Sequence, residues 1–98
     1  MELTETIHHV IRAIRKFLPG EEWKILMVGS WAKGTAQASS DLDIGIMGPE
    51  AVPWSTMVRI LEEVETIPTL RSIDVVDLCS TDEHFRSIVL PTAKPLKL

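Results

Sequence analysis

From Thr4 onward apolar residues recur at helical spacing: Ile7, Val10, Ile11, Ile14, Phe17 and Leu18 line one stripe until Pro19-Gly20 stops the pattern. Steps of three and four residues place such side chains on one face, so the segment predicts an amphipathic helix with Thr4 as its N-cap. Lys24-Ile25-Leu26-Met27-Val28 is a short apolar run that predicts a buried strand, ended by Gly29-Ser30. At Asp41-Leu42-Asp43-Ile44-Gly45-Ile46-Met47 the period falls to two. That alternation predicts a half-buried strand with Leu42, Ile44 and Ile46 turned inward. Pro53 is suited to the first turn of a second helix, burying Trp54, Met57, Val58, Leu61 and Val64 and exposing Glu62, Glu63 and Glu65 before Pro68 ends it. The β-branched run from Arg71 to Leu78 predicts a third strand. A last helix is expected from Thr81 or Asp82 to about Leu90, with Phe85, Ile88 and Val89 inward. This order predicts an α+β fold, a small mixed sheet with helices packed on one face and its charged site on the other.

Chemistry concentrates in one stretch. Side chains at i and i+2 of a strand share a face, so Asp41 and Asp43 point the same way. Two adjacent carboxylates repel unless a cation lies between them. Magnesium suits them, because it takes one or two carboxylates and completes its shell with water and substrate phosphates. Upstream, the strand ending in Val28 runs into Gly29-Ser30, and Trp31-Ala32-Lys33 can open a short helix with Ser30 as N-cap and Gly34 as stop. Backbone N–H groups at such a junction converge on one point and bind phosphate well. Gly-Ser turns and Asp-x-Asp pairs are each common as plain structure; their combination, separated by a polar loop from Thr35 to Ser40, is far more specific.

The stretch from Gly29 to Asp43 resembles the Gly-Ser-x10-Asp-x-Asp signature of the polymerase-β-like nucleotidyltransferase superfamily, and the short chain resembles its minimal nucleotidyltransferase branch. The resemblance extends over the order of elements through most of the chain. It implies that Asp41 and Asp43 bind magnesium, two ions in all, and that Gly29 and Ser30 hold the triphosphate of ATP. It also implies a third carboxylate on the later strand. Ile73-Asp74-Val75 and Val76-Asp77-Leu78 both fit the apolar-Asp-apolar pattern, and an odd separation puts Asp74 and Asp77 on opposite faces. Relatives carry the carboxylate early in this strand, which favours Asp74 as the third catalytic and metal-binding aspartate. Lys33 stands where many relatives carry a basic residue for the leaving pyrophosphate; otherwise it is a solvated helix lysine. Ser40 either contacts the triphosphate or caps its loop. Trp31 either borders the nucleotide or, like Trp23 and Trp54 by default, anchors the core or a protein contact.

The resemblance further implies a setting. Many minimal nucleotidyltransferases act as antitoxins paired with HEPN-domain ribonuclease toxins, and some modify the toxin with AMP. The expectation is therefore a magnesium-dependent adenylyltransferase acting on a hydroxyl of a HEPN-domain partner. The alternatives are a binding module that neutralises such a partner without catalysis and, more weakly, transfer to a small molecule.

Composition narrows the class. Ninety-eight residues suit one domain, 1–98, without a second core. A net charge of −4 with no basic stripe argues against long nucleic acid as substrate of this chain alone. The single cysteine, Cys79, excludes an internal disulfide and fits a reducing, cytoplasmic setting, with Cys79 as small filler at a strand end. No export signal or membrane-spanning run is legible. His8, His9 and His84 lack neighbours at metal-ligand spacing. Pro91 and Pro95 exclude regular helix from residues 91–98, which are expected to be disordered or an extended arm packed on a partner.

Overall fold

The computed structural model describes all residues from 1 to 98. Helix α1 (Leu3–Phe17) leads to strand β1 (Lys24–Val28), helix α2 (Gly29–Lys33), strand β2 (Leu42–Met47), helix α3 (Trp54–Glu65) and strand β3 (Ile73–Asp77). A 3-10 turn (Leu78–Ser80), helix α4 (Glu83–Val89), a second 3-10 turn (Leu90–Thr92) and the two-residue strand β4 (Lys94–Pro95) complete the chain. The strand order is β3-β2-β1-β4. β1 runs antiparallel to β2 and β4, whereas β2 and β3 are parallel. A parallel pair needs a crossover, and α3 supplies it. The fold is thus the mixed α+β arrangement that the sequence predicts.

Alternation along β2 decides the layers. Leu42, Ile44 and Ile46 are wholly buried on one face and join Ile25, Val10, Ile11 and Ile14 of α1, and Ile60 and Val64 of α3, in one core. Asp43 lies on the opposite face. Because Ile44 is central and 0 % exposed, Ile44→Ala is expected to cost about 2–5 kcal/mol through lost transfer energy and the cavity left behind. A thermal melt checks it, at roughly 4–8 °C per kcal/mol for a domain of this size.

Several local expectations are corrected. α1 begins at Leu3, so Thr4 is inside the helix and is not its N-cap; Glu2 occupies that position without a side-chain cap. Thr6 is the buried polar residue of this turn, and its Oγ1 donates to the Glu2 carbonyl at 3.1 Å. At the other end Arg15 Nη1 donates to the carbonyls of Leu18 and Gly20, closing the helix against the Pro19-Gly20 break. On α3 the buried residues are Ile60 and Val64, while Trp54 is 81 % and Leu61 41 % exposed. The inward stripe is set by contact with α1 and passes through Ile60, one position off the predicted Leu61. α4 buries nothing: Phe85 and Ile88 lie exposed rather than inward. Asp82 caps it, accepting from the Phe85 N–H at 2.8 Å.

The tail is extended and pairs with this chain's own sheet. Leu26 and Met27 pair with Pro95 and Lys94, and the Leu96 N–H donates to the Ile25 carbonyl at 2.8 Å. Pro95 is tolerated because β4 is an edge strand, where a missing N–H costs no ladder bond. Cys79 follows β3 as expected, half-buried with its thiol against the Gly48 carbonyl and the Met47 sulfur.

Candidate active site

Three strand ends meet on the face away from α1 and α3. Register pairs Val28 with Asp43 and Asp43 with Asp74, so the end of β1 and the starts of β2 and β3 form one row. Parallel pairing keeps in-register side chains on one face, which brings Asp74 beside Asp43. Asp41, two residues before Asp43, joins them. Asp43 is half-buried, while Asp41 and Asp74 are exposed.

The electrostatics match that crowding. Burial, the charges of Asp74 and then Asp41, and a hydrogen bond with Asp74 together hold the Asp43 carboxyl above its ordinary range. All four causes act in the same direction, and no neighbouring cation opposes them. Such a set favours either a proton or a metal ion.

Asp77 is placed elsewhere. Its carboxylate accepts from the Val52 N–H (2.8 Å), the Cys79 N–H (3.1 Å) and the Ser80 hydroxyl (2.8 Å). It ties the loop before α3 to the turn after β3. Asp77→Ala is expected to cost about 1–3 kcal/mol by leaving these donors unpaired. Divalent-cation binding, measured by calorimetry, is expected to be unchanged in that variant.

Gly29 lies directly against the carboxylates. Its φ is +73°, and a Cβ built there would overlap the Asp43 carboxylate, whose Cγ lies 3.1 Å away. A residue without a side chain is required by backbone and by space. α2 begins at Gly29 itself, with Val28 as N-cap and no side-chain cap. Ser30 is consequently within the first turn, not at the N-cap as its sequence position suggests. Its carbonyl accepts from the Gly34 and Thr35 N–H groups, and Gly34 ends the helix at φ 78° as expected. Lys33 is exposed in the last turn of this five-residue helix.

Ser40 faces its own loop. Its Oγ accepts from the Gln37 N–H at 2.8 Å, and its carbonyl accepts from Trp31 Nε1 (3.2 Å) and Arg71 Nη1 (2.9 Å). The structure therefore brings Gly29, Asp41, Asp43 and Asp74 together, with Ser30 next along α2, and ties Ser40 into its own loop. Arg71 escapes a sequence reading, because a lone arginine three residues before Asp74 carries no periodicity or motif.

The donor set fits a divalent cation in its chemistry: three aspartates, all oxygen donors, beside a backbone cradle that excludes any side chain. As the side chains stand, no three acidic, histidine or cysteine groups converge closely enough to hold a metal ion. An open carboxylate row of this kind leaves coordination positions for substrate phosphates.

A strand thus runs into Gly-Ser and a short helix, and an Asp-x-Asp strand pairs with a strand carrying a third aspartate, on a mixed α+β fold. Residues 13–97 match the family described as polymerase beta, nucleotidyltransferase, and the chain belongs to that family. Among solved structures it is similar to a toxin–antitoxin complex with AMP-PNP, at 21 % identity and TM-score 0.70 over 93 % of this chain and 72 % of that one. It is also similar to the complex of a tri-AMPylated HEPN toxin with an MNT antitoxin from Shewanella oneidensis, at 17 % identity and TM-score 0.67 over 96 % and 71 % of the two chains. A third is an aspartate-to-glutamate mutant of the MntA–HpeT toxin–antitoxin pair, at 20 % identity and TM-score 0.70 over 93 % and 72 %. At these identities the likeness is one of fold. No curated protein matches the chain significantly in sequence. No helix is long and apolar enough to cross a membrane.

Proposed function

We propose that this chain is a minimal nucleotidyltransferase that transfers AMP from ATP to a hydroxyl of a HEPN-domain partner protein. The observation that carries the reading is the Asp43 carboxyl, crowded by Asp74 and Asp41 and lying against the Gly29 backbone. A scaffold has no use for that repulsion; a site for a cation and a triphosphate does. The adenine nucleotide and the partner are supported by the structural neighbours, one complexed with AMP-PNP and one a tri-AMPylated HEPN toxin with its antitoxin.

In this mechanism Asp41, Asp43 and Asp74 would hold magnesium, two ions by family resemblance. When bound, magnesium neutralises the phosphates and stabilises charge on the attacking and leaving oxygens. Gly29 and Ser30 present their backbone to the β- and γ-phosphates, and Lys33, exposed in the last turn of α2, offsets the charge of departing pyrophosphate. Asp74 lies on the edge strand, so it is the carboxylate open to an incoming acceptor and favours loss of the hydroxyl proton. The acceptor oxygen bonds to the α-phosphorus, the bond to the bridging oxygen breaks, and pyrophosphate leaves.

A second reading rests on a separate observation. Phe85 and Ile88 of α4 and Leu90 just beyond it are 41 %, 53 % and 37 % exposed, a surface suited to holding a partner without chemistry. Label transfer from α-phosphate-labelled ATP to the co-expressed partner decides between them. A labelled band that requires both magnesium and Asp43 supports the transferase. Neutralisation of the partner by Asp43→Asn, with no label transferred by wild type, supports the binding module.

A further inference from the structure

Asp41 follows a residue whose backbone is fastened from two directions. The Ser40 carbonyl accepts from Trp31 Nε1 at 3.2 Å and from Arg71 Nη1 at 2.9 Å. The two donors also brace each other, with the Arg71 guanidinium 5.3 Å from the centre of the Trp31 ring. Trp31 belongs to α2, the helix that opens at Gly29, and Arg71 lies just before β3, the strand that carries Asp74. The cluster therefore joins all three parts of the site at one carbonyl. One further bond locks the same corner: the Leu42 N–H donates to the Ser72 carbonyl at 2.9 Å, so the backbone is fixed immediately on either side of Asp41.

Asp41 itself is exposed, and no protein hydrogen bond or ion pair holds its carboxylate in place. Its position is set by the backbone alone. It also follows a polar loop whose other bonds are local, the Ser40 N–H donating to the Gln37 carbonyl and the Gln37 N–H to Ser40 Oγ. Without the clamp, only the Leu42 bond would hold Asp41 against the repulsion of Asp43 and Asp74. Planar guanidinium suits the task, since it donates to a carbonyl and stacks on an indole at once.

We propose that Arg71, braced by Trp31, is a positioning residue that holds Asp41 in the cation site through the Ser40 carbonyl. The role rests on the reading of Asp41, Asp43 and Asp74 as cation ligands, but does not require that the chain transfer AMP. Outer partners that orient ligands are worth about 10–100-fold in metal affinity, and an arm acting through the backbone belongs at the lower end.

The test is Mn2+ binding to the purified full chain, followed by electron paramagnetic resonance of the free ion, with no nucleotide or partner. Arg71→Met is expected to bind about tenfold more weakly than wild type. Arg71→Lys, which keeps a donor and a cation, is expected to recover most of that loss. Trp31→Phe keeps the aromatic face and deletes one donor, so it is expected to fall between them. Thermal melts run alongside separate positioning from folding: a structural role alone lowers the melting temperature and leaves the affinity of the folded protein unchanged. Mn2+ affinity within twofold of wild type in folded Arg71→Met overturns the proposal and leaves the transferase reading intact. If Arg71→Met does not fold, wild-type affinity in Trp31→Phe overturns it instead. Wild type that binds no Mn2+ overturns both. Mn2+ binding that depends on Arg71, in a chain that labels no partner, sinks the transferase reading while the positioning role stands.

Discussion

Replacing Asp43 by Asn is expected to lower nucleotidyl transfer about a thousandfold or more and, without divalent cations, to make the protein more stable. The first effect follows from the several kcal/mol of transition-state charge stabilisation that a correctly held metal supplies, at about 1.4 kcal/mol per decade of rate. The second follows from the site itself. Asp43 is crowded by burial, by Asp74 and by Asp41, all of which raise its pKa in the folded chain. The folded state therefore holds a proton that the unfolded state has already released. Stability from this group is fully present below the ordinary carboxylate range and is lost as pH rises through the raised value. At neutral pH the ionised carboxylate is a strain on the cation-free fold, and Asn has no charge to repel. Melting curves in chelator across acid to neutral pH check the sign. Wild type is expected to lose stability toward neutral pH relative to Asp43→Asn, and magnesium is expected to stabilise wild type more. Transfer that survives the substitution would remove Asp43 from the ligand set. A lower melting temperature for the variant in chelator at neutral pH would refute the crowding argument.

Gly29→Val is expected to damage both fold and chemistry. A left-handed backbone costs an L-residue about 1–2 kcal/mol, and more for a branched side chain. The new Cβ would also overlap the Asp43 carboxylate and push it from the row it shares with Asp74. Displacement of a reacting group by about 1 Å is worth roughly a hundredfold in rate, which is the expected fall in transfer. Gly34→Val is the control. Gly34 has φ +78°, yet nothing lies within 4 Å of a Cβ built there. It carries the same backbone penalty with no overlap, so a comparable melting shift with transfer retained is expected. Equal losses of transfer in the two variants would show that strain in α2, rather than contact with Asp43, governs the site.

The local corrections share a cause. Thr4 and Ser30 are good capping residues, but neither holds a cap, because α1 starts at Leu3 and α2 starts at Gly29 itself. Capping preference is worth about 1 kcal/mol, less than the packing that decides where these helices begin. Trp54, Phe85 and Ile88 are apolar by type and exposed in fact. Hydrophobic type states what burial would gain, not whether a surface is offered within the same chain.

What the chain order determined alone is the shared orientation of two carboxylates and the strand–Gly-Ser junction upstream of them. The alternation from Asp41 to Met47 orients Asp41 and Asp43 together, and the Gly29-Ser30 junction follows a strand; both are consequences of backbone geometry within a few residues. Choosing Asp74 over Asp77 needed more than their opposite faces. The parallel register of β2 and β3, bridged by α3, brings Asp74 beside Asp43 and sends Asp77 to three donors in a loop. The Ser40 clamp is likewise tertiary, since Trp31 and Arg71 lie forty residues apart in the numbering and meet only when α2 and β3 flank the same loop. Contacts between residues so distant carry no local pattern, because nothing in either segment's own periodicity depends on the other.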